Sequence, residues 1–129
     1  MADSTDQRIF VAGHRGLVGR AIVRALERRK TAGEKFELLV RTRDEVDLTE
    51  ASAVRAFFND AQPTHIILAA AKVGGIKANS DSPVDFLLQN LKIQNNVIES
   101  AHSVGVRELL LVENGDVVVL TGLVHGSEI

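Results

Sequence analysis

The sequence predicts a doubly wound α/β fold, a mainly parallel sheet held between helices in three α/β/α layers. Three observations carry this expectation. Short apolar runs alternate with longer stretches of helical periodicity, the alternation that parallel strands joined by crossover helices require. The first of these runs, Ile9-Phe10-Val11-Ala12, ends in the closely spaced glycines Gly13, Gly16 and Gly19 and passes directly into a helical segment. No internal repeat, low-complexity tract or linker interrupts the 129 residues, so one domain is expected over 1–129.

In chain order, residues 1–7 form a polar lead, and Arg8 to Ala12 is a nearly continuous apolar strand of the kind buried on both faces. From Leu17 the apolar positions Leu17, Val18, Ala21, Ile22, Ala25 and Leu26 recur at helical spacing. Arg28, Arg29 and Lys30 complement the dipole of the last turn, before Gly33. Phe36 to Val40 reads as a second strand, stopping at Arg41-Thr42-Arg43-Asp44. Asp47-Leu48-Thr49-Glu50 offers caps for a helix with the apolar face Ala51, Val54, Phe57 and Phe58, which Pro63 ends. His65 to Ala71 is the third strand, and Gly74-Gly75 marks a loop. Ser82-Pro83-Val84-Asp85 then opens a long helix whose stripe of Phe86, Leu87, Leu91, Val97, Ile98, Ala101 and Val104 runs to a C-terminal cap at Gly105. Val106 to Val112 and Val117 to Thr121 read as the last two strands. The Asn114-Gly115 pair between them favours an antiparallel hairpin, with a buried parallel strand at Val117 as the alternative. Right-handed crossovers predict the strand order 3-2-1-4 with an extra closing strand, and a crevice above the carboxyl ends of the first and fourth strands.

Composition narrows the function. Hydrophobic residues make up 45% and the net charge is −2, so nothing draws the chain to nucleic acid or to an anionic membrane. There is no apolar run long enough to span a bilayer, no signal core and no cysteine, which suits a soluble protein in the cytoplasm and excludes thiolate chemistry. Tyrosine is absent.

A strand ending in glycines that runs into a helix aims backbone N–H groups and the positive helix end at one spot, which suits a phosphate. Gly13 would make the turn, Gly16 would let a pyrophosphate approach, and Gly19 would let the helix pack close to the strand. The G-x-x-G-x-x-G spacing after a strand therefore points to a dinucleotide in a Rossmann-like domain. At the end of the second strand, where a ribose-binding acid is usual, Arg41 and Arg43 stand instead. With Arg15 they favour the 2′-phosphate of NADP(H), while Asp44 or Glu45 remain candidates as ribose acceptors. Ala69-Ala70-Ala71 would let a cofactor lie across bare backbone, although small residues serve helix packing equally well. His14, His65, His102 and His125 lack ligand spacing, so no metal is expected. No Walker lysine, serine elbow or zinc motif is present.

The stretch from Ile9 to Val23, IFVAGHRGLVGRAIV, together with Arg41-Thr42-Arg43-Asp44, Asp47-Leu48, the run LAAAKVGGI from Leu68 to Ile76 and Asn90-Leu91, closely resembles the GDP-L-fucose synthases of the extended short-chain dehydrogenase/reductases. The likeness covers roughly residues 8–110. It implies a Rossmann fold and NADP(H), with epimerisation and reduction of GDP-4-keto-6-deoxy-mannose as the parent reaction. It also implies that Gly13, His14, Arg15, Gly16, Leu17, Val18, Gly19, Arg43, Asp47, Leu48, Ala69, Ala70 and Ala71 contact the cofactor, and that helices at the position of 82–104 pair in a homodimer. The family's catalytic serine and Tyr-x-x-x-Lys pair have no counterpart here, so no catalytic residue is assigned. Residues 111–129 depart from the family pattern, and Val112 to Gly122 distantly resembles the closing strand of pyruvate kinase C-terminal domains. A truncated or chimeric NADP(H)-binding half-domain without catalysis of its own is the leading expectation. A stable, engineered α/β scaffold with a vestigial cofactor site is the alternative, and a reductase completed by another chain is the third.

Overall fold

A computed structural model describes residues 7–69, 83–113 and 116–121; Ala70, Ala71, Gly74-Gly75, Ser82, Asn114-Gly115, His125 and the polar lead before Gln7 lie outside the described residues. The elements in order are β1 (Arg8–Ala12), α1 (Leu17–Thr31), β2 (Glu37–Leu39), α2 (Ala51–Ala61), β3 (His65–Leu68), α3 (Pro83–Val104), β4 (Glu108–Glu113) and β5 (Asp116–Thr121). The fold is the expected Rossmann-like α/β/α arrangement. β1, β2, β3 and β4 run parallel and β5 closes the sheet antiparallel to β4, pairing Glu113 with Asp116 and Glu108 with Thr121.

The strand order is not the expected 3-2-1-4 but β2-β1-β3-β4-β5, so β3 lies on the far side of β1 from β2. Burial explains the correction. Ile66 and Leu68 of β3 are fully buried on one face while Ile67 packs into the other core, so β3 needs cover on both faces and a strand on each edge. β2 is three residues long with an exposed Glu37, and it suits the sheet's edge. The handedness rule then sets the layers. The step from β1 to β2 crosses the sheet in one direction and the steps from β2 to β3 and β3 to β4 in the other, so right-handed crossovers put their helices on opposite faces. Accordingly Leu26, Ile22 and Val23 of α1 pack on Val11, while Val54, Phe57 and Phe58 of α2 and Ile93, Val97 and Ala101 of α3 pack on Phe10 and Ala12. The switch point, expected between the first and fourth strands, falls between β1 and β3.

Three phenylalanines pin α2 to the sheet. Phe10, Phe57 and Phe58 meet edge to face with centroids 4.8, 6.0 and 5.7 Å apart, each pair contributing about 0.5–1.5 kcal/mol beyond the area it buries. At the opposite end of the strands from the glycine turn, Thr64 ties the sheet together: Arg8 N–H donates to Thr64 Oγ1, Thr64 N–H to the Arg8 carbonyl and Arg107 N–H to the Thr64 carbonyl, all at 2.8 Å.

Two helical stripes differ from the reading of periodicity. Leu17 and Val18 are exposed, at 79% and 46%, because the first turn of α1 projects beyond the end of β1; Val23, not Ala21, faces the sheet. Among the described side chains of α3, the buried ones begin at Ile93. Val84, Leu87, Leu88 and Leu91 form an i, i+3, i+4, i+7 stripe that lies open.

Candidate nucleotide-binding site

The β1–α1 turn is built from backbone. Gly13 sits at φ 86°, where an L side chain is strained, and its carbonyl accepts from Gly16 N–H at 3.1 Å. Gly16 is the N-cap of α1 with no side chain to bond the first-turn amides, and no acid occupies that turn. Its orphan N–H groups and dipole therefore remain available to an anion. Gly19 has a different task. A Cβ there would overlap the Gly13 carbonyl oxygen and stand 2.6 Å from its carbon, so only glycine lets α1 pack against the turn.

A cleft of about 250 Å³ opens beside the turn. Its walls are Gly13, His14, Arg15 and Gly16, then Arg41, Thr42, Arg43, Val46, Asp47, Leu48 and Thr49 from the connection between β2 and α2, then Gln89 and Ile93 of α3. Of the residues expected from sequence, Gly13, His14, Arg15, Gly16, Arg43, Asp47 and Leu48 thus meet at one cleft. Gly19 supports it from behind, and Leu17 and Val18 are exposed outside its lining. Ala69 is half-buried and donates its N–H to the Ala12 carbonyl at 2.9 Å, extending the β1–β3 ladder. Ala70 and Ala71 lie outside the described residues. The cleft is smaller than the roughly 300 Å³ at which ordinary ligand pockets begin, which suits part of a dinucleotide.

The two arginines after β2 divide their roles. Arg41 is half-buried, its Nη1 donating to the Val40 carbonyl at 2.7 Å and its guanidinium 5.0 Å above the Phe57 ring, so packing holds it. Arg43 is exposed. The connection folds on itself through short turns. Thr42 N–H donates to Glu45 Oε1 at 2.7 Å and Glu45 N–H to Thr42 Oγ1 at 3.3 Å; the Thr42 N–H foremost, then the Thr42 side chain, holds the Glu45 carboxyl below its ordinary range, helped by the charges of Arg41 and His14. Asp47 was expected among helix caps. Instead its Oδ1 accepts from the Thr49 hydroxyl at 2.6 Å and the Thr49 N–H at 3.0 Å, which lowers its pKa, with Arg43 adding to the effect. Asp47 therefore stands ionised in the cleft wall as an acceptor.

Gln89 and Ile93 escaped the reading of the sequence. Their spacing of four puts them on one helical face, but which face meets the cleft depends on how α3 is rotated against the sheet. Among the described residues, no group of three His, Asp or Glu side chains could hold a metal ion.

A mainly parallel α/β sheet with an uncapped glycine turn beside a cleft at its carboxyl end is the arrangement of a Rossmann-like α/β domain. The chain belongs to the NAD dependent epimerase/dehydratase family, whose model matches residues 9–114. GDP-L-fucose synthase 1 of Arabidopsis thaliana is 52% identical over 103 residues, 80% of this chain and 31% of that protein. GDP-L-fucose synthase of Escherichia coli (strain K12) is 50% identical over 104 residues, 81% of this chain and 31% of that protein. Among solved structures, a GDP-L-fucose synthetase from Naegleria fowleri bound to NADP superposes with a TM-score of 0.73 at 28% identity, covering 86% of this chain and 32% of that one. The chain thus spans about a third of the length of the relatives it matches. No helix among the described residues is long and apolar enough to cross a membrane.

Proposed function

We propose that this chain is the NADP(H)-binding portion of a GDP-L-fucose synthase-like epimerase/reductase of the cytoplasm, holding the adenosine half of the cofactor and not completing the reaction by itself. One observation carries the reading: the glycine turn, and the exposed Arg43 with the Asp47-Leu48 wall from the distant β2–α2 connection, border a single cleft. In this reading the amides at Gly16 and the first turn of α1 take the pyrophosphate, Arg43 takes the 2′-phosphate, and Asp47 and Leu48 lie along the adenine and its ribose. Ala69, Ala70 and Ala71 would run beneath the nicotinamide half. The sequence contains no tyrosine, so the proton donor of the parent chemistry has no counterpart in it.

The reading includes a homodimer through the helix at 82–104. The open stripe of Val84, Leu87, Leu88 and Leu91 would give two antiparallel copies of the helix an apolar seam to share across a two-fold axis. The test is titration with NADPH and NADH, followed by nicotinamide fluorescence and thermal stability. Tighter binding of NADPH supports the proposal. No response at millimolar cofactor would overturn it and leave a folded scaffold with a vestigial site.

A further inference from the structure

The wall that carries Asp47 and Leu48 is secured from a distance. Within the connection from β2 to α2, the turn hydrogen bonds are short-range: Thr42 with Glu45, Asp47 with Thr49, and Glu50 N–H to the Asp47 carbonyl at 3.0 Å. Such turns shape the segment, and Val46, buried in the core, and Leu48, packed against it, seat it on the sheet. Asn96 reaches it from α3, donating its side-chain amide to the Leu48 carbonyl at 2.9 Å across 48 residues of sequence. Gln89, Ile93 and Asn96 follow at i, i+4 and i+7, so the same helical face that supplies two walls of the cleft also supplies this tie. Ile93 and Val97 are buried in the core beside it, which leaves α3 little freedom to shift at that point.

We propose that Asn96 is a positioning residue of the nucleotide cleft, fixing through the Leu48 carbonyl the wall on which the base and ribose of an adenine nucleotide rest. A peptide unit is planar, so holding the Leu48 carbonyl holds the whole Leu48–Thr49 unit, and with it the Thr49 N–H that bonds Asp47. The wall then meets a ligand already ordered, and the ligand does not bear the cost of ordering it. The inference rests on the NADP(H) reading above, and its test separates the two.

Asn96→Asp keeps the shape and replaces the donor with an acceptor; Asn96→Ala removes the group without adding charge. Binding of 2′,5′-ADP and of inorganic pyrophosphate is measured by calorimetry on unmodified protein and both variants, with the Leu48 carbonyl carbon followed by NMR. Loss of one hydrogen bond of this kind should weaken 2′,5′-ADP about three- to tenfold. Pyrophosphate, held at the glycine turn, should be unaffected, and the Leu48 carbonyl resonance should move in both variants. A purely structural role would lower the melting temperature and leave the ratio of the two affinities unchanged, and that result would overturn the proposal. If the unmodified protein binds pyrophosphate but not 2′,5′-ADP, the nucleotide reading itself falls and the positioning role with it.

Discussion

Gly16 and Gly19 lie three residues apart, and alanine should expose different functions at each. At Gly19 the new Cβ would overlap the Gly13 carbonyl oxygen and stand 2.6 Å from the carbonyl carbon and 3.0 Å from the His14 Cα. Ordinary carbon contacts begin at about 3.5 Å, and the overlap with the oxygen is deeper still, so α1 and the turn must part by more than about 1 Å. Both sides of this clash are backbone, with no flexible side chain to yield, so the cost should reach the upper end of overpacking, about 3 kcal/mol. For a domain of this size that lowers the melting temperature by roughly 10 °C. At Gly16 the geometry is permissive. A Cβ there would stand 3.5 Å from the Gly13 oxygen, and the φ of −73° suits any residue. Gly16→Ala should therefore cost no more than about 1 kcal/mol through a poorer N-cap. Gly16 lines the cleft, however, and the added methyl would stand between its backbone and an approaching phosphate. Obstructing one hydrogen bond to a charged group should weaken NADPH about ten- to a hundredfold. Thermal melts by circular dichroism and fluorescence titrations on the two variants form the assay. A Gly19→Ala protein that melts with the unmodified chain would refute the packing argument, and a Gly16→Ala protein that binds NADPH normally would refute the phosphate site.

Arg43→Ala should remove most of a preference of about tenfold or more for NADPH over NADH, since a charge-assisted bond contributes about 1.5–3 kcal/mol and exposure places it toward the lower figure. Arg41→Ala should instead lower stability with the preference retained, and equal loss of both cofactors in Arg43→Ala would remove its assigned role. Burial holds the His65 imidazole below its ordinary pKa, with Arg107 adding and Glu108 opposing. The unfolded chain then binds more protons below about pH 6.5, so stability should fall as pH drops through 6.5 toward the depressed folded value. His65→Gln should flatten that slope in denaturant titrations across pH 5–7, and an unchanged slope would assign it to other groups. Leu87→Glu, at a side chain 56% exposed in the open stripe, should convert a dimer to monomer in sedimentation without lowering the monomer's stability. A monomeric unmodified chain at high concentration would rule the dimer out.

The sequence by itself determined the elements and the character of the turn, because both are local. β1 ends at Ala12 and α1 runs from Leu17 to Thr31 as periodicity and the glycines require, and the apolar face of α2 is Val54, Phe57 and Phe58, with the expected Ala51 exposed at the helix start. The Asn-Gly signal likewise matched an antiparallel β4–β5 pair. Strand order was not legible. Strands pair through backbone groups that carry no sequence label, so only the burial of both faces of β3, realised when the layers assemble, put it between β1 and β4. Periodicity also finds the stripe of α3 without saying how much of it is covered, and Val84, Leu87, Leu88 and Leu91 stand exposed. The same limit governed the cleft. Gly13 to Gly16 could be read from one turn, and Arg43, Asp47 and Leu48 from likeness to a family. That Arg41 is held on Phe57, that Gln89 and Ile93 line the cleft, and that Asn96 reaches the Leu48 carbonyl, depends on the rotation of helices against the sheet, and tertiary packing alone sets that rotation.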